Sequence, residues 1–208
     1  MKLDIKMLII GNNSRLYKAF KDKLPSHFAC SHRDDFSGLI RAKSVKKVVL
    51  LSHSLKDIEN EKILNALYQK NVEICYVSTS AVCNPRNLRF RYPRSKRSSE
   101  IFINTYCKKY TILRFGLIEG LHDFSKFAGE VPYTSEETFI RYLSCFMMGE
   151  LDGFYNCFEK KMLDGTFLRT FIYRQYKYVT KLPLYISRPI DLALKKLGYM
   201  NYGYVYEQ

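Results

Sequence analysis

Val72-Glu73-Ile74-Cys75-Tyr76-Val77-Ser78-Thr79-Ser80, followed thirteen residues after Thr79 (92 − 79) by Tyr92-Pro93-Arg94-Ser95-Lys96, is the stretch whose reading decides the fold. The apolar run Val72–Ser78 predicts a buried strand that ends in hydroxyls. Tyr92 and Lys96 stand at i and i+4, one turn apart on a helix face. Pro93 suits the first helical position, where its missing N–H would have no partner. An ammonium beside a phenol favours the phenolate and draws the tyrosine pKa down from about 10. A tyrosine tuned in this way can serve as a general acid or base. A strand-end hydroxyl such as Thr79 can hold the oxygen that gains or loses the proton. The spacing alone decides little, because Tyr17/Lys21 and Tyr173/Lys177 repeat it. Only the Tyr92/Lys96 pair follows a hydroxyl-bearing strand end and opens a helix.

Working outward, Lys6–Ile10 is a short apolar run that stops at Gly11 and leads into a helical pattern over Leu16–Leu24. His27–Ser31 predicts a second short strand. Lys47–Ser52 reads as a continuous apolar strand, of the kind buried on both faces of a parallel sheet. Ile63, Leu64, Ala66 and Leu67 mark one face of a helix over Asn60–Lys70. A helix over Ser95–Tyr110 then precedes a strand at Thr111–Phe115. Strands alternating with helices predict βαβ units, hence an α/β chain with a Rossmann-like, doubly wound parallel sheet over residues 1–120. After Gly120 the pattern changes. Thr134 with Glu137 resembles a capping box ahead of Phe139–Met148. Leu151–Phe158 suggests a turn and a strand, and Leu182–Leu197 ends in an amphipathic helix. Residues 121–208 are read as a small substrate-side annex packed on the core.

At 208 residues the chain can bury a real core, and 47% hydrophobic with 26% charged residues is ordinary for a globular domain. No apolar run approaches the ~20 residues of a membrane span, and Met7–Ile10 is too short for the core of a secretory signal. The expected compartment is the cytoplasm. The six cysteines show no Cys-x-x-Cys pair, so neither a zinc site nor a disulfide framework is expected, and Cys30 and Cys75 read as small core residues. A net charge of +14 points to an anionic partner. Arg86, Arg89, Arg91, Arg94, Lys96 and Arg97 crowd together with no acid between Glu73 and Glu100, as if for phosphates. A second basic, aromatic and acid-free stretch lies between Gly165 and Ile190.

Taken in order, these pieces resemble the short-chain dehydrogenase/reductase superfamily, in its extended branch of nucleotide-sugar epimerases, dehydratases and 4-ketoreductases. Leu8–Leu16 resembles the first strand and glycine turn, Tyr76–Val82 the strand ending in the catalytic Ser/Thr, and Tyr92–Arg97 the Tyr-x-x-x-Lys motif. Ile112–Gly120 resembles the later Leu-Arg-Pro strand, and Leu182-Pro183-Leu184 the closing segment. The resemblance implies Thr79, Tyr92 and Lys96 as catalytic residues, with Lys96 also on the cofactor ribose. It implies Gly11, Asn12, Ser14, Arg15, Leu16, Arg33 and Ser52 as cofactor contacts. Ser80, Arg86, Arg89, Arg91 and Arg114 fall on the substrate side, and no metal is implied. The glycine turn departs from the family pattern, with Ser14 and Tyr17 where the second and third glycines belong.

The implied cofactor is NADP rather than NAD, because Arg33 precedes Asp34 at the end of the second strand, and an arginine there accommodates the extra phosphate. The implied activity is an oxidoreductase or epimerase acting on a nucleotide-linked sugar in surface-glycan biosynthesis, with a homodimer as the partner assembly to look for. Two other readings compete. One is a degenerate relative that binds nucleic acid through Arg89-Phe90-Arg91-Tyr92, bases interleaved with aromatics. The other is a glycan-assembly scaffold lying on anionic lipid through Phe167–Arg188.

Overall fold

The structure is a computed structural model, and it describes residues 6–179 and 181–197. Its strands are β1 (Met7–Ile10), β2 (Phe28–Cys30), β3 (Lys47–Leu50), β4 (Glu73–Thr79), β5 (Tyr110–Phe115), β6 (Leu117–Ile118), β7 (Gly129–Thr134), β8 (Gly153–Asn156) and β9 (Glu159–Leu163). The helices are α1 (Arg15–Phe20), α2 (Phe36–Ala42), α3 (Asp57–Gln69), α4 (Arg91–Tyr106), α5 (Glu136–Met148), α6 (Phe167–Val179) and α7 (Leu184–Lys196). Six strands form one sheet in the order β2-β1-β3-β4-β5-β8, with every neighbouring pair parallel. This is the doubly wound Rossmann-like α/β fold that the alternating pattern predicts.

Successive side chains of a strand point to opposite faces, so an all-apolar strand needs cover on both sides. Leu8, Ile10, Val48, Leu50, Ile74, Tyr76 and Ile112 face Ile40 of α2, Ile63, Leu64 and Leu67 of α3, and Ile103 of α4. Met7, Ile9, Val49, Leu51, Cys75, Val77, Leu113 and Phe115 face Phe20 of α1 and Phe139, Leu143 and Phe146 of α5. Cys30 and Cys75 are buried in these two clusters.

The chain steps outward from β1 to β2, returns through α2 to β3, and continues in the other direction. The reversal leaves a crevice at the carboxyl ends of β1 and β3, where doubly wound sheets bind ligands. Gly11 sits there at φ +120°, and a Cβ on it would lie 2.7 Å from the Ser52 amide nitrogen. Both the Gly11 and Asn12 amides donate to the Cys30 carbonyl. Only glycine allows the backbones to approach this closely.

Several boundaries differ from the sequence pattern. α1 stops at Phe20 and continues as a 3-10 turn over Lys21–Lys23. α4 starts at Arg91 rather than Ser95, which makes Pro93 the third helical residue instead of the first. The ring is tolerated there because first-turn amides have no intrahelical acceptor. The α5 cap is Ser135, not Thr134: Ser135 Oγ accepts from the Thr138 amide. Thr134 is buried instead, accepting from the Gly116 amide and donating to the Cys157 carbonyl.

Strands β6, β7 and β9 form a second sheet, and with α6 they have no counterpart in the sequence pattern. This annex packs through Phe90, Leu117, Phe127, Val131 and Tyr176. Position 120 does not divide the layers, since α5 and β8 follow it and complete the central sheet layer.

Candidate active site

The carboxyl ends of β1, β3, β4 and β5 and the first turns of α1 and α4 enclose a cleft of about 490 Å³. Gly11, Ser14, Arg15, Leu16, Ser52, Thr79, Ser80, Tyr92 and Lys96, all named from sequence, line it together. Arg15, His32, His53, Lys96 and His122 also face it, and its lining holds no carboxylate. With Arg15 and Lys96 as its bases and no carboxylate against them, the cleft favours an anionic ligand.

Thr79 is the last residue of β4. Its Oγ1 accepts from the Ala81 amide at 3.3 Å, turning the chain into a 3-10 segment over Ser80–Cys83. Tyr92 is the second residue of α4, and its ring packs edge-on against His53 with centroids 5.4 Å apart. Lys96, one turn further on, is 3% exposed. Its Nζ donates to the Val77 carbonyl at 2.7 Å and lies 4.6 Å from the Tyr76 ring centroid. Burial pulls its pKa from 10.5 to about 7, with the Glu100 carboxylate opposing the shift. Glu100 is fully buried and receives both Nε and Nη2 of Arg114, at 3.0 and 2.8 Å, and Nη1 of Arg97. A buried ion pair therefore braces the back of α4.

Two further residues enter the site. His53, just beyond β3, pairs its Nδ1 with the Tyr76 hydroxyl at 3.3 Å, while its Nε2 is buried with no protein partner. Burial, then the Lys96 charge, lowers its pKa to about 2, which keeps the imidazole neutral. Ser78 Oγ is likewise buried without a partner. Buried polar atoms are normally satisfied, so these two mark where a ligand's polar groups belong. A polar residue directly after a buried parallel strand was the available sequence signal for His53.

At the phosphate turn, Ser14 Oγ caps the Tyr17 amide at 3.1 Å, and Arg15 and Leu16 open α1 against the cleft. Arg15 Nη2 donates to the Leu121 carbonyl at the rim. Asn12 lies just outside the lining, with Oδ1 unpartnered. Tyr17, at the third-glycine position, packs edge-on to His27 and bonds its Nε2 at 3.1 Å. These donors and the unpartnered atoms of Asn12, His53 and Ser78 fit a phosphate-bearing dinucleotide, although α1 is short.

The basic residues sort differently from their expected roles. Arg33 is exposed and outside the cleft, in an adjoining hollow of about 350 Å³ with His32, Phe36, Glu59 and Lys62. Asp34 is committed to its own turn, accepting from the Ser31 amide at 2.8 Å. Arg89 does not reach the cleft: it forms a buried ion pair with Asp191, donates to the Tyr176 hydroxyl and stacks on Phe90. Arg114 is held by Glu100 beneath the site, so its substrate role is also withdrawn. Arg91 is exposed and does not line the cleft. The Arg86 side chain lies outside the described residues. With Phe90 buried and Arg89 paired, Arg89–Tyr92 is no stacking platform for nucleic acid. Among the described residues, no group of three or more His, Cys, Asp or Glu is placed to hold a metal ion.

No family model matches the chain, and no curated protein matches it. Its fold is shared with solved structures of nucleotide-sugar enzymes. A dTDP-4-dehydrorhamnose reductase from Bacillus anthracis, in complex with NADP, superposes with a TM-score of 0.61 at 14% identity over 75% of each chain. The Bordetella bronchiseptica enzyme WbmH, in complex with NAD+, gives a TM-score of 0.61 at 13% identity, covering 86% of this chain and 82% of that one. The capsular polysaccharide assembling protein CapF from Staphylococcus aureus covers 94% of this chain and 66% of its own, at 16% identity and a TM-score of 0.55.

Proposed function

We propose that the chain is an NAD(P)-dependent reductase or epimerase acting on a nucleotide-linked sugar in surface-glycan biosynthesis. The observation that carries this reading is the single cleft that joins the Gly11 turn to Thr79, Tyr92 and Lys96. The bound nicotinamide would supply hydride exchange with a sugar carbon. Tyr92 would give or take the proton at the sugar oxygen, and Thr79 Oγ1 would orient that oxygen. Residues Gly11–Leu16 and Ser52 would hold the dinucleotide phosphates, and Lys96 the ribose near the phenol. Arg33 and Lys62 share the hollow beside His32 with Glu59, whose carboxylate is engaged by Ser54 and Lys56; the two bases suit an additional phosphate, which supports NADP over NAD. Ser80 stays on the substrate side.

The test is calorimetry with NADP(H) and NAD(H), followed by NADPH oxidation against a panel of keto-sugar nucleotides. Tyr92→Phe should bind cofactor normally while turnover falls by ~10²–10⁴-fold. Wild-type turnover in that variant would refute the catalytic assignment. A second reading, a relative that has lost the cofactor, is favoured by the six-residue α1 and by Tyr17 in the third-glycine place. Absence of any binding heat would select it.

A further inference from the structure

The two C-terminal helices carry a surface that the chemistry above does not use. Along α6, Phe167, Phe171, Arg174 and Tyr178 recur at intervals of three and four residues and are all exposed, which puts them on one stripe. Along α7, Tyr185, Pro189, Leu192 and Lys196 do the same. Phe167 is 87% exposed and Tyr185 79%. Leu168, Leu182, Ile186 and Leu197 add more exposed apolar surface. The opposite faces are committed to the protein. Tyr176 is buried in the annex core, and Asp191 is buried against Arg89 and Tyr176.

Charge selects the occupant of this face. Residues 165–197 contain seven bases, Arg169, Arg174, Lys177, Lys181, Arg188, Lys195 and Lys196, and one acid, Asp191. That acid is paired with Arg89 in the interior, so the remaining charged residues of this segment are all bases. A second copy docking here would set this basic face against its own image, a like-charge arrangement that opposes association. A nucleic-acid strand would answer the charge and stack on the rings, but would leave the aliphatic Leu168, Leu182, Ile186, Leu192 and Leu197 in water. An anionic bilayer answers both, taking large apolar side chains below the headgroups and bases among them.

We propose that the α6–α7 face is a docking surface for anionic lipid, holding the cleft beside a membrane. The attachment is peripheral: among the described residues no helix is long and apolar enough to cross a bilayer. The Arg89–Asp191 pair and the Tyr176 hydroxyl join this face to the residues just before Tyr92. The proposal is independent of the catalytic reading, since it requires neither cofactor nor turnover.

Co-sedimentation of the full chain with phosphatidylcholine vesicles, with and without phosphatidylserine, tests it. Binding is expected only with the anionic lipid and should weaken as salt rises. Phe167→Ser/Phe171→Ser should abolish it by removing the insertion. Arg174→Glu/Arg188→Glu should weaken it by roughly fivefold or more per base. All four positions are exposed, so circular dichroism should show both variants folded. No wild-type binding to anionic vesicles would overturn the proposal, as would equal binding by the variants. Self-association in the ultracentrifuge that Phe171→Ser abolishes would assign the face to a second copy instead. Single-strand binding lost in Arg174→Glu, with no vesicle binding, would assign it to nucleic acid.

Discussion

Replacing Lys96 by methionine should stabilise the ligand-free protein while removing its chemistry. Lys96 is 3% exposed, and burial brings its pKa from 10.5 to about 7. That difference corresponds to about 4–5 kcal/mol of penalty on the charged form. The folded value lies below the unfolded one, so between pH 7 and 10.5 the unfolded chain carries the extra proton and stability climbs with pH. Below about pH 7 both states carry it, and the folded state bears the whole penalty. Methionine keeps the length and drops the charge. It also forfeits the bond to the Val77 carbonyl, a charged hydrogen bond worth about 1.5–3 kcal/mol. The net gain near pH 7 is then about 2–3 kcal/mol, or a Tm increase on the order of 4–12 °C for a chain of this size. At pH 9 the wild-type penalty has fallen to about 2 kcal/mol, and the gap should nearly close. Thermal melts of both proteins from about pH 6 to pH 9 read this directly, because other titrating groups cancel in the difference. A variant less stable than wild type at neutral pH, or a gap independent of pH, would refute the reasoning.

Glu100→Gln should leave Arg114 largely buried without its anion and destabilise the fold by about 3–5 kcal/mol in urea titrations; a change under about 0.5 kcal/mol would show that the pair braces nothing. Gly11→Ala should lower Tm markedly, because its Cβ meets Ser52 at a φ where strain costs about 1–3 kcal/mol. Loss of cofactor binding in that variant would therefore report damage to the switch point, and an unchanged melt would count against the tight turn. Thr79→Val should slow turnover with cofactor affinity intact, and removing its cap on the Ala81 amide should cost about 1 kcal/mol.

The central layer was legible because burial on both faces writes itself as unbroken apolar runs. Lys47–Ser52 contains β3 and Val72–Ser78 covers all of β4 but Thr79, and the residues at their ends line the cleft. The annex was not legible. β9, Glu159–Leu163, is exposed along nearly all its length and shows no alternation, and its pairing with β7 is set by tertiary contact. The arginines misled for a related reason. A run of bases looks the same whether it meets a ligand or a distant carboxylate, and the partner of Arg89 lies 102 positions away (191 − 89). Glu100, by contrast, stood in plain view one turn after Lys96, yet only the fold pairs it with Arg114.

Glycine spacing is the weakest sign of ligand binding in this chain, and under the proposed function the grip on a ligand would fall to other groups. A six-residue α1 aligns few peptide dipoles, and the Ser14 side chain already caps one first-turn amide. Tyr17 is accommodated by His27 and does not allow the close helix–strand contact that a third glycine would. On the proposed function, the grip on an anion would come from side chains around the cleft: Arg15 at its rim, His53 and Ser78 with unpartnered polar atoms, and Lys96 with its pKa lowered to about 7. An anion settling beside Lys96 would favour its charged form, so binding near neutral pH should draw a proton from solution. Calorimetry of NADP+ binding in buffers of different ionisation enthalpy would register that proton, and Lys96→Met should abolish the buffer dependence. Buffer-independent heats in the wild type would mean that the ligand does not reach Lys96.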